Sequence, residues 1–407
     1  MILRDYQINI STQAFKAIKS HKLAYLAMEV RTGKTLTALY TAELYGAKNV
    51  LFVTKKKAIK SIETDYSSLN PNYILKCINF ESVHKVVGQF DLIIIDEAHS
   101  LGAFPKPSQR AKKLKDKCKK LPIIFLSGTP TPESYSQMFH QLWISSYSPW
   151  NHYSNFYRWS RDYVKVKQKS INGFSINDYS DADASKIKAC IDPFLFTWTQ
   201  TQSGFKQEIK EEVLNVPMKD ETKFALKEIM KTKITTVNGK TVLGDTPSKL
   251  STKMHQLSSG TVIDEDGKYH ILDQSKADFI RARFKGEKIA IFYVFKSEFE
   301  MLKKVFPNWT SSPEDFQQSD KVFLGQFRSV REGVRLDTAD ALIFFNIEYS
   351  YLSYEQAKNR LQSMNREKEA KLYFLVSNCG IEKYIMKAVK NKENFTLSYY
   401  GKERKAA

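Results

Sequence analysis

Short apolar runs with almost no polar interruption constrain this chain most. They read NVLFVT (49–54), FDLIIID (90–96), LPIIFLSG (121–128), KIAIFYVF (288–295), KVFLGQF (321–327), ADALIFFN (339–346) and AKLYFLVS (370–377), with KLAYLAM (22–28) as a weaker case. A half-exposed strand alternates polar and apolar residues, whereas an unbroken run suits a strand buried on both faces. That is the environment of a parallel sheet flanked by helices. Amphipathic stretches such as KTLTALYTAELY (34–45) lie between many of the runs, and there Leu36, Leu39, Tyr40 and Leu44 are expected on one face. The runs fall into one group before about residue 130 and another after about residue 288. The expected fold is therefore α/β, with two doubly wound lobes joined by a largely helical insertion.

The intervening region has a different texture. WISSYSPWNHYSNFYRWSRDY (143–163) is crowded with aromatic residues, for which packing within a helical extension is expected ahead of base stacking. Residues 219–233 read as a charged helix, and 234–248 and 260–270 carry the Gly, Asn, Asp and Thr of hairpins or loops. The expected boundaries are a first lobe over 1–205 with its extension at about 143–205, a linker region over 206–270, and a second lobe over 271–407.

Charge narrows the partners. The 407 residues carry 63 Lys+Arg against 44 Asp+Glu, a net charge of +19. Such an excess favours a polyanion, through release of the counterions that phosphates condense, although lysine-rich surfaces also serve solubility. The stretch PKPSQRAKKLKDKCKK (105–120) could grip phosphates or be a solvated helix or mobile loop. Cys77, Cys118, Cys190 and Cys379 are far apart in sequence and form no CxxC pair, which indicates neither a zinc site nor a disulfide framework. No apolar run reaches the roughly 18 residues of a membrane span, and MILRDYQINI lacks the form of a secretory signal. A cytoplasmic protein is expected, with no membrane partner.

Three segments of the first lobe carry chemistry. Gly33-Lys34-Thr35 falls where an apolar strand meets a helix, and backbone N–H groups there favour an anion. Lys34 can reach phosphates and the Thr35 hydroxyl can ligate Mg²⁺, but the general phosphate loop asks for a glycine where this chain has Met28. LIIIDEAHS places Asp96 and Glu97 at the end of a buried strand. Mg²⁺ takes one or two carboxylates together with phosphates and water, and a second carboxylate beside it can polarise a water. FLSGTPTPES puts Ser127, Gly128, Thr129 and Pro130 after another buried strand.

In the order LRDYQ, LAMEVRTGKT, LIIIDEAH, LSGTP, these segments resemble superfamily 2 helicases and translocases, particularly the Swi/Snf-type translocases and their small phage-borne relatives. The resemblance implies two RecA-like lobes with a P-loop and a DEAH box. The family loop resembles L-A-D-E-M-G-L-G-K-T; Ala27, Glu29, Gly33, Lys34 and Thr35 match it, and Met28 and Arg31 do not. It implies ATP and Mg²⁺ as cofactors, with Gln7 reading the adenine edge and Arg31, Thr32, Gly33, Lys34 and Thr35 holding phosphates. Thr35 and Asp96 would hold Mg²⁺, Glu97 would activate water, and His99, Ser127, Gly128 and Thr129 would couple the nucleotide to the polymer. VLFVTKKKAIKSIETDY (50–66) resembles the next motif, which touches the nucleic-acid backbone, with Lys55 where a proline is usual.

In the second lobe, FLGQFRSVREGVRLDTADALIFFN resembles the fifth motif of the family, with Ser329, Gly333 and Leu336 at its characteristic positions. SYEQAKNRLQSMNREKEAKLYFLV resembles the sixth, with Gln356 and Arg360 in place and Ser363 where a further arginine is common. Arg366 is the next arginine. The resemblance implies that Arg360 and Arg366 both act as catalytic arginines on ATP, with Gly333 and Gln356 also at the nucleotide; on a continuous helix Arg366 would lie about 240° around from Arg360, so both can face ATP only if the helix ends between them. The resemblance implies a monomeric, ATP-driven motor on DNA in a bacterial cell or phage-infected host. RNA as the track, a non-catalytic binding protein on the same fold, and a small-molecule phosphotransferase are the alternatives.

Overall fold

The computed structural model describes residues 2–171, 174–205, 209–330, 334–363, 366 and 368–391. The chain divides into two compact units, Met1–Gly204 and Phe205–Ala407.

The first unit begins with α1 (Asp5–His21), β1 (Leu23–Met28), α2 (Lys34–Tyr45), β2 (Asn49–Thr54), α3 (Ile59–Leu69) and β3 (Ile74–Asn79). β4 (Leu92–Ile95), α4 (Gln109–Cys118) and β5 (Ile123–Leu126) follow. Beyond them lie α5 (Gln137–Leu142), α6 (Phe156–Tyr163), the hairpin β6 (Lys167–Ile171) and β7 (Phe174–Asp178), α7 (Ala184–Ile191) and β8 (Leu195–Trp198). Six of these strands form one parallel sheet in the order β3-β2-β4-β5-β1-β8. Every residue of β4 and β5 is buried, as unbroken apolar runs require. Each such aliphatic side chain contributes roughly 1.5–3 kcal/mol when taken fully out of water.

The helix face expected for α2 is corrected. Leu36, Tyr40 and Leu44 are only half-buried, while Thr37, Ala38, Leu39, Thr41 and Ala42 are buried. Small residues let α2 come close to α1, where the Ser11 hydroxyl donates to the Thr37 carbonyl at 2.9 Å. Gly46, at φ 75°, then ends the helix in the left-handed conformation that glycine adopts without steric cost. The aromatic stretch packs as core: Trp150, Phe156 and Trp159 are buried against Phe139 and Leu142.

The second unit opens with β9 (Ile209–Val216), α8 (Asp220–Thr232), the hairpin β10 (Ile234–Val237) and β11 (Lys240–Leu243), and α9 (Pro247–Ser258). The hairpin β12 (Thr261–Ile263) and β13 (Tyr269–Ile271), α10 (Ser275–Arg283), β14 (Ile289–Tyr293) and α11 (Lys296–Val305) come next. They lead to β15 (Trp309–Thr310), α12 (Pro313–Gln318), β16 (Val322–Gln326), α13 (Phe327–Val330) and β17 (Ala341–Phe344). The unit closes with α14 (Tyr351–Lys358), β18 (Ala370–Ser377) and α15 (Glu382–Lys390). Its sheet is again six-stranded and parallel, in the order β15-β16-β14-β17-β18-β9. Two six-stranded parallel sheets, each covered by helices, are the architecture of two RecA-like lobes. The stretch between the two groups of runs supplies three hairpins and the strands β8 and β9 as well as helices.

Several polar groups buried in the second unit are paired with one another. Lys276 and Glu382, 0% and 1% exposed, form an ion pair. Lys276 also donates to the carbonyls of Phe345 and Leu375 at 3.4 and 3.3 Å, and Glu382 accepts from the backbone and hydroxyl of Ser377, both at 2.7 Å. His255 Nε2 lies 2.6 Å from Asn346 Oδ1, and the Asn346 amide donates to Glu298 at 2.7 Å.

Burial pushes His255 in this unit down to about 4, and it does the same to His140 in the first unit, whose Nδ1 lies 2.6 Å from the Ala103 carbonyl oxygen. The unfolded chain takes up protons on these rings below about pH 6.5, while the folded chain resists until about pH 4. Both therefore contribute stability that is full above pH 6.5 and is lost as pH falls through that window. Urea midpoints measured between pH 7.5 and 4.5 are expected to drop across it, and His255→Gln should flatten the drop for the second unit.

Candidate active site

In a parallel sheet every strand delivers its following loop to the same edge. Because β4, β5 and β1 are neighbours, the loops after Ile95, Leu126 and Met28 leave that edge side by side. Those loops and the first turn of α2 hold the first-unit site residues expected from sequence, apart from Gln7 on α1.

The loop 29–33 connects β1 to α2. Gly33 takes φ 80° at the start of α2, and Arg31 takes φ 65°. A non-glycine residue in that region costs about 1 kcal/mol, and Arg31 occupies the position where the resemblance has glycine. Met28 is a fully buried strand residue that closes the apolar core. Thr32 is buried, with its hydroxyl donating to the Glu29 carbonyl at 2.7 Å. Lys34 Nζ donates to the same carbonyl at 3.0 Å, and Thr35 follows in the first turn of α2. Gln7 is buried against the loop: its Nε2 donates to the Gly33 carbonyl at 3.3 Å and its Oε1 accepts from the Arg4 N–H at 2.9 Å. A Cβ at Gly33 would collide with this amide.

Asp96 leaves β4 with its carboxylate accepting from the Thr54 hydroxyl and the Glu97 N–H, both at 2.9 Å. Burial and the adjacent Glu97 charge push it up to about 6, while Thr54, the Lys34 ammonium and the Glu97 N–H pull the other way. Glu97 sits at φ 50° and begins a short turn that brings His99 back under it, with the Glu97 carboxylate 3.3 Å from His99 Nδ1. The same nitrogen hydrogen-bonds the Ser127 hydroxyl at 2.9 Å, and Ser127 Oγ accepts from the Thr129 N–H at 3.1 Å. Glu97, His99, Ser127 and Thr129 therefore form one continuous polar chain across two loops. Gly128 lies opposite Lys34; a Cβ there would come to 3.3 Å from Val30 Cγ2 and 3.6 Å from Lys34 Nζ, so its absence leaves space beside the ammonium.

These residues fit a nucleotide with Mg²⁺. The carboxylate held under strain by burial gains most from a cation, and the left-handed Gly33 opens α2 toward an anion. Among the described residues no group of three or more His, Cys, Asp and Glu could hold a metal by itself. Mg²⁺ asks for few protein ligands when phosphates and water complete its shell.

Several supporting residues were not singled out from the sequence. Tyr6 donates to the Thr32 carbonyl at 2.9 Å and stacks on Trp198, with ring centroids 5.0 Å apart. Beyond Trp198, the Gln200 N–H donates to the Glu29 carboxylate at 2.6 Å and its Nε2 to the Val30 carbonyl at 2.9 Å. Tyr25 donates to Gln141 Oε1 at 2.6 Å, and Gln141 donates to the Pro130 carbonyl at 2.8 Å. Tyr6 sits within LRDYQ and Thr54 at the end of an apolar run, so both could have been suspected from their places; the others are visible only in three dimensions.

In the second unit Gln356 is buried on α14. That helix ends at Lys358, so Arg360 is already in the turn beyond it, where its carbonyl accepts from the Leu336 N–H at 3.2 Å. Against the upward push of burial, the Asp337 carboxyl is held below its usual range chiefly by Arg335, with Ser363 a smaller influence. The Arg366 guanidinium is buried and donates to the carbonyls of Asp337 (2.7 Å), Ala339 (2.8 Å), Lys368 (2.9 Å) and Glu369 (3.0 Å). Gly333 lies outside the described residues.

Residues 1–85 match the sequence profile of the family described as type III restriction enzyme, res subunit, a superfamily 2 helicase-like domain. The matched segment includes Gln7 and the loop through Thr35 and ends before Asp96. No curated protein matches the chain. Among the described residues no helix is long and apolar enough to cross a membrane.

Two outcomes are expected from this geometry. An aspartate raised to about 6 from about 3.9 in the unfolded chain costs stability that sets in between those pH values and is full above them. Asp96→Asn, in buffer without nucleotide or Mg²⁺, should therefore be more stable than wild type at pH 7–8, on the order of 1–2 kcal/mol, with the difference fading toward pH 4. Arg366→Ala should destabilise the second unit by about 1–3 kcal/mol, because it strips buried carbonyls of their donor. Arg366→Lys should recover only part of that, since an ammonium is not a planar fork. Urea unfolding checks both.

Proposed function

We propose that the chain is an ATP-driven motor on DNA, a translocase or helicase that couples hydrolysis to movement along the polymer. What supports this reading most is the contiguity of β4, β5 and β1. It gathers Lys34, Asp96 and Gly128 at one sheet edge in a unit whose first 85 residues match a helicase-like domain. The net charge of +19 fits a polyanionic track. DNA is preferred over RNA because of the likeness to Swi/Snf-type translocases and the match to a type III restriction enzyme res subunit.

Phosphoryl transfer to water needs positioning and charge neutralisation more than covalent chemistry from the protein. Lys34 would exchange its contact with the Glu29 carbonyl for the β- and γ-phosphates, with Arg31, Thr32, Gly33 and Thr35 as the loop that holds them. Gln7 reads the adenine edge. Thr35 and Asp96 would hold Mg²⁺, which would supply charge neutralisation on the phosphates. Glu97 polarises the attacking water. His99 and Ser127 carry any shift of Glu97 into the 127–130 loop, which makes that polar chain the coupling element. In the second unit Arg360 is the residue assigned to transition-state charge, with Gln356 beside it. Arg366, spent on four carbonyls, is assigned to holding the segment that carries Arg360.

The test is ATP turnover with duplex DNA, single-stranded DNA and RNA. Stimulation is expected, greatest on DNA. Lys34→Ala and Glu97→Gln should each lower stimulated turnover by about 10²-fold or more, and Arg360→Ala by roughly 10³-fold. Full stimulated turnover in the Lys34 and Glu97 variants, or no stimulation of the wild-type chain by any polymer, would overturn the assignment.

A further inference from the structure

The carboxyl edge of the second sheet carries a groove that none of the residues above uses. It lies between α8, α9 and the turn from β18 into α15, and its volume is about 500 Å³. Lys223 and Lys227 reach it from α8 and Lys383 from α15, over a floor of Met230 and Met254. Among the described residues no Asp or Glu lines it. Nearby carboxylates are engaged elsewhere. Glu382 is paired with buried Lys276, and the Glu228 carboxylate is taken by the Thr235 hydroxyl. Asp220 meets Lys223 at 2.8 Å, but its side chain is 96% exposed, so water screens that pair.

The walls are fixed rather than incidental. Asn378 donates its N–H to the Val216 carbonyl at 3.3 Å, and its side chain accepts from the Met218 N–H at 3.2 Å, which ties the turn to the entry of α8. Gly380 lies so close to α9 that a Cβ would collide with Ser258, whose hydroxyl accepts from the Ile381 N–H at 3.2 Å. The Lys276–Glu382 pair anchors the same turn from beneath through Ser377. Open parallel sheets bind their ligands at this edge. A preformed concave surface with three ammonium groups, of which only Lys223 meets a carboxylate and that one exposed to water, suits a chain of phosphates.

We propose that this groove grips the phosphodiester backbone of the nucleic acid, a contact made by α8 and α15 in addition to those the motifs supply. The proposal rests on the motor reading above, because it takes that polymer as its ligand. Each ammonium that neutralises a phosphate adds about 0.9 to the steepness of log K against log salt on duplex DNA, and about 0.7 on a single strand.

The experiment is fluorescence anisotropy of duplex DNA, single-stranded DNA and RNA of equal length, titrated with the full chain between 50 and 250 mM salt. The variant Lys223→Ala/Lys227→Ala/Lys383→Ala is expected to lower the slope by about 2–3 and to weaken binding about tenfold or more at 150 mM salt. The charge reversal Lys227→Glu should move both quantities the same way. Polymer-free ATP turnover should stay at the wild-type value in both variants. The polymer on which the slope changes identifies the backbone the groove prefers. Wild-type binding with an unchanged slope in the triple variant overturns the groove and leaves the motor reading standing. A wild-type chain that neither binds nor is stimulated by any polymer overturns the motor reading and the groove with it. Polyglutamate competing as well as nucleic acid in wild type, and losing that ability in the triple variant, overturns the ligand in favour of an acidic protein.

Discussion

The position of β1 between β5 and β8 is what the first unit depends on. A parallel strand cannot be reached by a tight hairpin, so each connection must cross the sheet and return to the same end. Once β4, β5 and β1 are adjacent, three loops far apart in sequence are forced onto one edge. The chemistry then needs only short excursions from the strand ends. Lys34, Asp96 and Ser127 each lie within seven residues of a strand end, on backbone the sheet already holds. β8 matters for the same reason from the other side: it pairs with β1 along Tyr25–Met28 and carries Trp198 and Gln200 to the phosphate-loop backbone.

The second unit uses buried charge where the first uses adjacency. Lys276 and Glu382 are both out of water, an arrangement that contributes little net stability unless the remaining donors and acceptors are satisfied. Here they are, by the carbonyls of Phe345 and Leu375 and by the backbone and hydroxyl of Ser377. What the pair provides is position: it fixes the ends of β17 and β18 relative to α10 and α15. Arg366 acts similarly at the opposite end of β18, gathering four carbonyls from two segments with one guanidinium. A lysine could satisfy the charge but not that geometry.

Legibility followed burial. The runs at 49–54, 92–95, 123–126, 289–293, 322–326, 341–344 and 370–377 were readable as strands because neither face meets water. β3, β8 and β9 lie at sheet edges with mixed burial, so ILKCIN, LFTW and IKEEVLNV carry no comparable signature. The docked face of α2 was misjudged because close helix packing favours small residues over large apolar ones. Side chains that carry their own chemistry, such as Lys34, Asp96 and His99, could be singled out by type and spacing. Gln141 and Gln200 could not, because their importance comes from partners 116 and 171 residues away.

The departures from the expected phosphate loop have separate physical causes. Met28 stands where the general pattern has glycine, yet it is the last residue of β1, pairs with Trp198 and is fully buried. A small residue there would leave a hole in the core, so its side chain serves the sheet and not the anion. Arg31 is the costlier departure, since it holds a left-handed conformation without being glycine. That strain persists because the loop is tied on both sides. Thr32 and Lys34 bind the Glu29 carbonyl from within, while Tyr6, Gln7 and Gln200 hold the carbonyls of Thr32, Gly33 and Val30 from outside. A backbone pinned at so many points does not need glycine to reach the conformation, only neighbours that make every alternative worse. The loop's shape is thus specified largely by α1 and β8, which is why a tripeptide read alone carries so little information and the same tripeptide between those two elements carries so much.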